Sequence, residues 1–125
     1  MTEQSYQSKI IKSIEADGGV VVNGTYSKAG IADLVCGYPI ELTTMSTPSE
    51  VILQHLHVEV KTKEAYEKLM KNNIEEVGGL YICKPGFKGR EVLQAHKLNE
   101  VRKRGGLALF AYSYLQVKEY IDEYK

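Results

Sequence analysis

Residues 55–61, with the sequence HLHVEVK, alternate strictly between polar and aliphatic side chains. Successive side chains of a β-strand point to opposite faces of its sheet, so this segment predicts a strand with one apolar and one polar face. The polar face would carry His55, His57, Glu59 and Lys61. The apolar face must be buried, which predicts a sheet that other elements cover.

The segments around this strand predict an alternation of helices and strands. Apolar residues at helical spacing predict helices over 3–16, 63–77 and 90–104 and a last helix after residue 112. Glycine-containing stops follow the first three helices, at 17–19, 78–79 and 105–106. Aliphatic runs predict further strands at 20–22, 31–35, 80–83 and 107–112, while residues 39–54 remain ambiguous. This order predicts one α/β domain over residues 1–125, with a mixed sheet flanked by helices.

The charges are balanced over the chain but unevenly distributed. There are 16 basic and 16 acidic residues, yet residues 84–104 hold seven basic against two acidic ones, a local charge of +5. This distribution permits a phosphate-facing surface in the second half and a cation-attracting centre in the first. We expect the basic run at the end of the third helix, Arg102, Lys103 and Arg104, to contact nucleic acid.

Other features favour an intracellular protein. No apolar run approaches the roughly 20 residues that a membrane helix requires. The first residues, MTEQSYQSK, lack an apolar signal core, so we expect a cytoplasmic location. Cys36 and Cys83 form no CxxC pair, and we expect both to be reduced thiols.

Two carboxylates and one lysine stand out as candidates for chemistry. Asp33 interrupts an apolar strand, residues 31–35, that begins directly after Gly30, and an unpaired carboxylate is costly to bury in such a strand. Glu59 and Lys61 are two residues apart on a strand, so both side chains leave the same face. Carboxylate oxygens bind hard cations such as Mg²⁺, and an adjacent ammonium stabilises negative charge on a phosphate. The pattern predicts metal-dependent phosphodiester hydrolysis.

Three segments of the chain resemble the VRR-NUC branch of the PD-(D/E)xK nucleases, as found in phage genomes. They are YSKAGIADL at 26–34, HVEVKT at 57–62 and LQAHKLNEVRKRGGLALFAYS at 93–113. Together they match the family's Pro-Asp-Leu step, its Glu-Val-Lys strand, and a helix that opens on glutamine and closes on two glycines. Ala32 departs from the family, which prefers proline before the aspartate. The resemblance implies a restriction-endonuclease-like fold.

The same resemblance implies roles for individual residues. Asp33 and Glu59 would be metal ligands, the Val60 backbone carbonyl would complete the site, and Lys61 would be the catalytic lysine. Gln94 matches a glutamine that helps to place substrate and water, and Glu3 matches an acidic position that supports the metal through water. The implied cofactor is Mg²⁺ or Mn²⁺. The implied substrate is DNA, including branched DNA such as a Holliday junction, cut by a homodimer that is phage-encoded.

Several alternatives remain open at this stage. His55, His57 and Glu59 share a strand face and could bind Zn²⁺ or Mn²⁺, although no fourth ligand is evident. Tyr26 and Lys28, in the loop before Asp33, could contact DNA. The chain could also be a DNA-binding or assembly module that keeps the fold without hydrolysing anything.

Overall fold

The computed structural model describes residues 2–23, 34–42 and 50–124. In chain order the elements are α1 (Glu3–Ala16), β1 (Val20–Asn23), β2 (Leu34–Leu42), β3 (Glu50–Val60), α2 (Lys63–Asn72), β4 (Ile74–Val77), β5 (Leu80–Cys83), α3 (Arg90–Lys103), β6 (Leu107–Ala111) and α4 (Tyr114–Tyr124). None of the helices in these ranges has the length and apolar character needed to cross a lipid bilayer.

The central sheet is mixed, as the sequence predicted. Its strand order is β1-β2-β3-β6, with β1, β2 and β3 antiparallel and β6 parallel to β3. The chain crosses from β3 to β6 through α2, β4, β5 and α3. A parallel connection of this kind requires a long crossover, and here it brings α3 onto the sheet beside the polar face of β3.

Helices cover the two faces of the sheet unequally. One face packs against α1 and α4 and buries Leu56, Val58 and Val60 among the aliphatic residues of the neighbouring strands. On the other face, Ala108 and Phe110 of β6 pack beneath α3, α2 and the β4–β5 hairpin. The alternation in HLHVEVK therefore separates a helix-covered aliphatic face from the face that carries the polar residues.

The predicted helix over 63–77 is too long. Helix α2 ends at Asn72, and β4 pairs antiparallel with β5, so Ile74 and Val77 belong to a hairpin. Gly78 and Gly79 are the hairpin turn, with φ of 61° and 79°. Two consecutive positive φ values are what a two-residue turn of type I′ demands, and glycine adopts them at little cost. The glycine pair reverses a strand here instead of ending a helix.

Side chains from three elements protect the outer edge of β6. Within the described sheet β6 is an edge strand, so the backbone groups of Ala108 and Phe110 that point away from β3 need other partners. The Ala108 N–H donates to Tyr120 Oη (3.2 Å), and the Phe110 N–H donates to Tyr81 Oη (3.0 Å). Arg102 Nε donates to the Ala108 carbonyl (2.6 Å). These contacts block the edge against pairing with another strand.

Candidate active site

The candidate site lies where the parallel strands β3 and β6 end together. The Lys61 N–H donates to the Ala111 carbonyl (2.9 Å), which holds the two strand ends side by side. Thr62 then begins α2 as its N-cap, accepting a hydrogen bond from the Ala65 N–H (3.2 Å). The change from strand to helix directly after Lys61 fixes the backbone that carries the lysine.

Glu59 and Lys61 are both buried, although both are ionisable. Glu59 is 3% exposed and Lys61 is 5% exposed. Charged side chains are rarely buried to this extent unless they are paired, because removing a charge from water costs several kcal/mol. Removing one partner of a buried pair destabilises a protein by about 3–5 kcal/mol. The burial of these two charges therefore indicates either a structural hydrogen-bond network or a ligand site.

Gln94 joins the two charged groups into one chain of hydrogen bonds. Its Nε2 donates to Glu59 Oε1 (2.7 Å), and its Oε1 accepts from Lys61 Nζ (3.0 Å). The amide therefore presents its donor to the carboxylate and its acceptor to the ammonium, which holds both charges in fixed positions. The structure brings together three of the residues that the sequence selected, from positions 35 residues apart.

A cavity of about 360 Å³ opens beside the Lys61 ammonium. Glu3, at the first turn of α1, lines this cavity, so the predicted accessory acid lies near the lysine. Glu91 also lines it, with Oε1 at 3.8 Å from Lys61 Nζ. Lys68 and Arg90 supply basic groups on the same walls. The cavity thus combines acidic and basic side chains around the buried lysine.

Within the described residues, the site contains only some of the oxygen ligands that a hard divalent cation requires. The Glu59 carboxylate and the backbone of Val60 stand at the strand end and offer oxygen, the donor that Mg²⁺ prefers. Asp33 lies outside the described residues. Leu34, the next residue in the chain, pairs with Val58, which directly precedes Glu59. No group of three His, Cys, Asp or Glu residues that could hold a metal occurs in ranges 2–23, 34–42 and 50–124. The His55–His57–Glu59 set therefore does not form such a group in this structure.

The basic run at the end of α3 divides into one internal and two external side chains. Arg102 was a predicted DNA contact, but its side chain is 8% exposed. Its guanidinium lies between the rings of Tyr81 (4.4 Å) and Tyr120 (4.8 Å) and donates to Glu76 Oε1 (2.6 Å). A phosphate contact from Arg102 would require these bonds to break. Lys103 and Arg104 are exposed, whereas the candidates Tyr26 and Lys28 lie outside the described residues.

Glu91, Lys68 and Arg90 were not selected from the sequence. Glu91 precedes Gln94 by three residues, so it lies on the same face of α3, and that spacing was a usable signal. Lys68 and Arg90 gave no such signal, because nothing in their spacing relates them to Lys61. Only the packing of α2 and α3 at this end of the sheet brings them to the cavity.

The histidines of β3 continue the polar face away from the site. His55 is exposed and His57 is half-buried, with ring centroids 6.3 Å apart. Burial, together with the neighbouring His55, lowers the pKa of His57. Because side chains alternate between the two faces along a strand, the two imidazoles lie on the same side of the sheet as Glu59 and Lys61.

Comparison with known proteins bears on the fold. No profile of a protein family matches the chain, and no curated protein matches it either. A solved structure described as a VRR_NUC domain aligns with 98% of this chain and 97% of its own, at 22% sequence identity and a TM-score of 0.55. The mixed sheet with flanking helices, predicted from the order of the elements, and the fold implied by the resemblance are thereby confirmed. The chain has the fold of a VRR_NUC domain.

Proposed function

We propose that the protein is a divalent-metal-dependent nuclease that hydrolyses phosphodiester bonds of DNA. The observation that carries the proposal is the hydrogen-bonded chain Glu59–Gln94–Lys61, in which both charged side chains are buried and Lys61 lines an open cavity at the end of the two parallel strands. Its residue types meet the needs of phosphodiester hydrolysis, which are a carboxylate for a cation and a fixed positive charge for the phosphate.

Asp33 and Glu59 would hold the cation, Mg²⁺ or Mn²⁺, with the Val60 carbonyl as a further ligand. Support for Asp33 comes from the register, because β2 begins at Leu34, opposite the residue that precedes Glu59. Glu3 would assist through water, since it lines the same cavity as Lys61. A cation held there would lower the pKa of a bound water and neutralise charge on the scissile phosphate.

The residues of the chain would then position the reactants. Lys61, held by Gln94, would hydrogen-bond the attacking water or a phosphate oxygen and stabilise the negative charge that develops on the phosphoryl group. One phosphorus–oxygen bond forms to the water oxygen as the bond to the leaving oxygen breaks, and the water protons pass to the products. Because the ammonium is fixed before substrate arrives, little reorganisation is needed during the reaction.

The substrate preference and the assembly are further parts of the proposal. The resemblance points to branched DNA, and two strands must be cut to resolve a four-way junction. A homodimer with two equivalent sites would match the symmetry of such a substrate.

Glu59→Gln tests the proposal directly. The change is nearly isosteric but removes the negative charge, so we expect cleavage of DNA in Mg²⁺ to fall by at least a hundredfold while circular dichroism shows the fold intact. Native protein in EDTA should be equally inactive. His96→Gln, on the exposed surface of α3, is the matched control and should retain activity.

Full cleavage by Glu59→Gln, or by native protein in EDTA, would overturn the proposal. Binding of DNA without any cleavage in Mg²⁺ or Mn²⁺ would instead identify a non-catalytic DNA-binding module on the same fold.

A further inference from the structure

A second cavity, of about 410 Å³, lies on the same side of the sheet, at the far end of α3 from Gln94. His55, His57 and Arg104, whose side chains carry nitrogen donors, are among the residues that line it, together with Val101 and Gly106. No acidic side chain lines this cavity. Glu100 approaches Arg104 from the helix surface, with Oε2 at 3.6 Å from Arg104 Nη2, and the Arg104 side chain is 82% exposed.

Gly106 lets the end of α3 pack close to the histidines. A Cβ atom at this position would lie 2.6 Å from Val101 Cγ1 and 3.8 Å from the Cβ of His55. A larger residue would therefore force the α3–β6 connection away from β3. With glycine, the Gly106 N–H donates to the Val101 carbonyl (2.9 Å) and closes the helix end against the cavity.

Two rows of side chains connect this cavity with the candidate active site. On β3, residues 55, 57 and 59 face the same side, and four residues of strand span about 13 Å. On α3, positions 94, 97, 101 and 104 follow helical spacing, and ten residues of helix span about 15 Å. A hydrogen bond joins Gln94 to Glu59 at one end, and Val101 and His57 line the same cavity at the other.

The two rows therefore run alongside each other over nearly equal lengths. The α3 row carries Lys97 and Arg104, and the β3 row carries His55 and His57. Beyond Glu59 the side chains facing this side thus include two cations and two imidazoles. Such groups donate hydrogen bonds to phosphate oxygens.

We propose that the His55–His57–Arg104 cavity binds a backbone phosphate of the DNA strand whose scissile bond lies at Glu59 and Lys61. The inference rests on the proposed nuclease function and adds a binding subsite to it. The two rows of side chains on β3 and α3 set the path of the DNA strand between this cavity and the candidate active site, with Lys97 contacting the phosphates in between.

The test compares two double variants in EDTA, where cation-dependent cleavage cannot occur. His57→Gln with Arg104→Gln removes the subsite. His96→Gln with Lys12→Gln likewise removes one imidazole and one positive charge, at exposed positions on α3 and α1. Fluorescence anisotropy with labelled duplex DNA measures affinity against salt concentration. We expect the first variant to lose about one unit of salt slope for each phosphate contact removed, and the control to match native protein.

The three histidines also report the site by NMR. On addition of DNA, the imidazole signals of His55 and His57 should shift while that of His96 stays in place. Inorganic phosphate at the same concentration of phosphate groups should shift none of them. Equal shifts with inorganic phosphate would mean a free-anion site and would overturn the proposal.

The outcomes separate this inference from the nuclease proposal. If native protein cleaves DNA in Mg²⁺ but the two double variants have equal salt slopes, the subsite is wrong and the nuclease stands. If the slopes differ but no cleavage occurs with any cation, the subsite stands and the nuclease does not. If native protein neither binds nor cleaves DNA, both fail.

Discussion

Gln94 has the central place in the candidate site, because it holds the carboxylate and the ammonium at once. Without it, Glu59 and Lys61 would each keep a buried charge with one hydrogen bond fewer. A buried polar group that loses its partner costs about 1–3 kcal/mol, and more when it is charged. The amide therefore both stabilises the site and orients the two groups that the proposed reaction needs.

Gln94→Ala should reduce DNA cleavage by about ten- to a hundredfold, the usual effect of removing a residue that orients a metal ligand. Metal affinity, measured by calorimetry, should weaken as well. Leu93→Ala is the control, since Leu93 is exposed on the same helix. Cleavage within twofold of native protein would show that Gln94 does not orient the reacting groups.

At the scale of elements, Arg102 joins α3 to the β4–β5 hairpin, to β6 and to α4. It donates to Glu76, to the Gly79 carbonyl and to the Ala108 carbonyl, and it lies between two tyrosine rings. A guanidinium can do this because its donors form a planar fork that also stacks on aromatic faces. The side chain of Arg104, two residues further on, is 82% exposed and pairs with Glu100 on the surface.

The pair of arginines allows a matched comparison of stability. Arg102→Met should lower the free energy of unfolding by about 2–4 kcal/mol, because it leaves the carbonyl of the buried Ala108 without its side-chain donor and removes the cation held between the Tyr81 and Tyr120 rings. Arg104→Met should change it by less than about 0.5 kcal/mol, as expected for an exposed residue. Urea denaturation measures both. Equal losses would contradict the structural role of Arg102.

The hairpin turn offers a second test at this scale. Gly78→Val should destabilise the protein by about 1–2 kcal/mol, because a β-branched residue is strained at a positive φ. Gly78→Asn should cost much less, since asparagine tolerates the left-handed region and is common in such turns. If valine and asparagine have the same effect on the melting temperature, this residue does not require positive φ.

At the scale of the whole molecule, the proposed homodimer requires an interface between two copies of the chain. The C-terminal helix α4 carries several apolar and tyrosine residues, but Ile121 is fully buried, and the Tyr120 hydroxyl accepts a hydrogen bond from the β6 edge. Leu115, 67% exposed, is the large aliphatic residue that α4 presents outward. The helix therefore buries much of its apolar surface in the core of its own chain.

Light scattering tests the assembly, and a panel of DNA substrates tests the preference. We expect a mass near twice the 14.0 kDa of the chain at micromolar concentration, and paired symmetric nicks in a four-way junction. Two identical sites related by a twofold axis would cut opposing strands at equivalent positions. A strict monomer that cuts linear duplex as readily as junctions would refute this part while leaving the metal site untouched.

The sequence determined the features that depend on local periodicity. The strict alternation in HLHVEVK predicts a strand with Glu59 and Lys61 on one face, and the structure has that strand with both side chains on one side. The glycine stop after residue 104 also ended α3 within a residue of the prediction. In both cases neighbouring residues in the chain carry the whole signal, so no distant contact is needed.

Tertiary structure decided what depends on residues far apart in the chain. Residues 74–77 were consistent with a helix locally, but pairing with β5 makes them a strand. The charge of Arg102 suggested a surface contact, yet two tyrosines and three acceptors from other elements hold it inside. Lys68, Arg90 and Glu3 meet at one cavity only because α1, α2 and α3 pack at the same end of the sheet. A strand needs a partner and a buried cation needs acceptors, and both come from elsewhere in the fold.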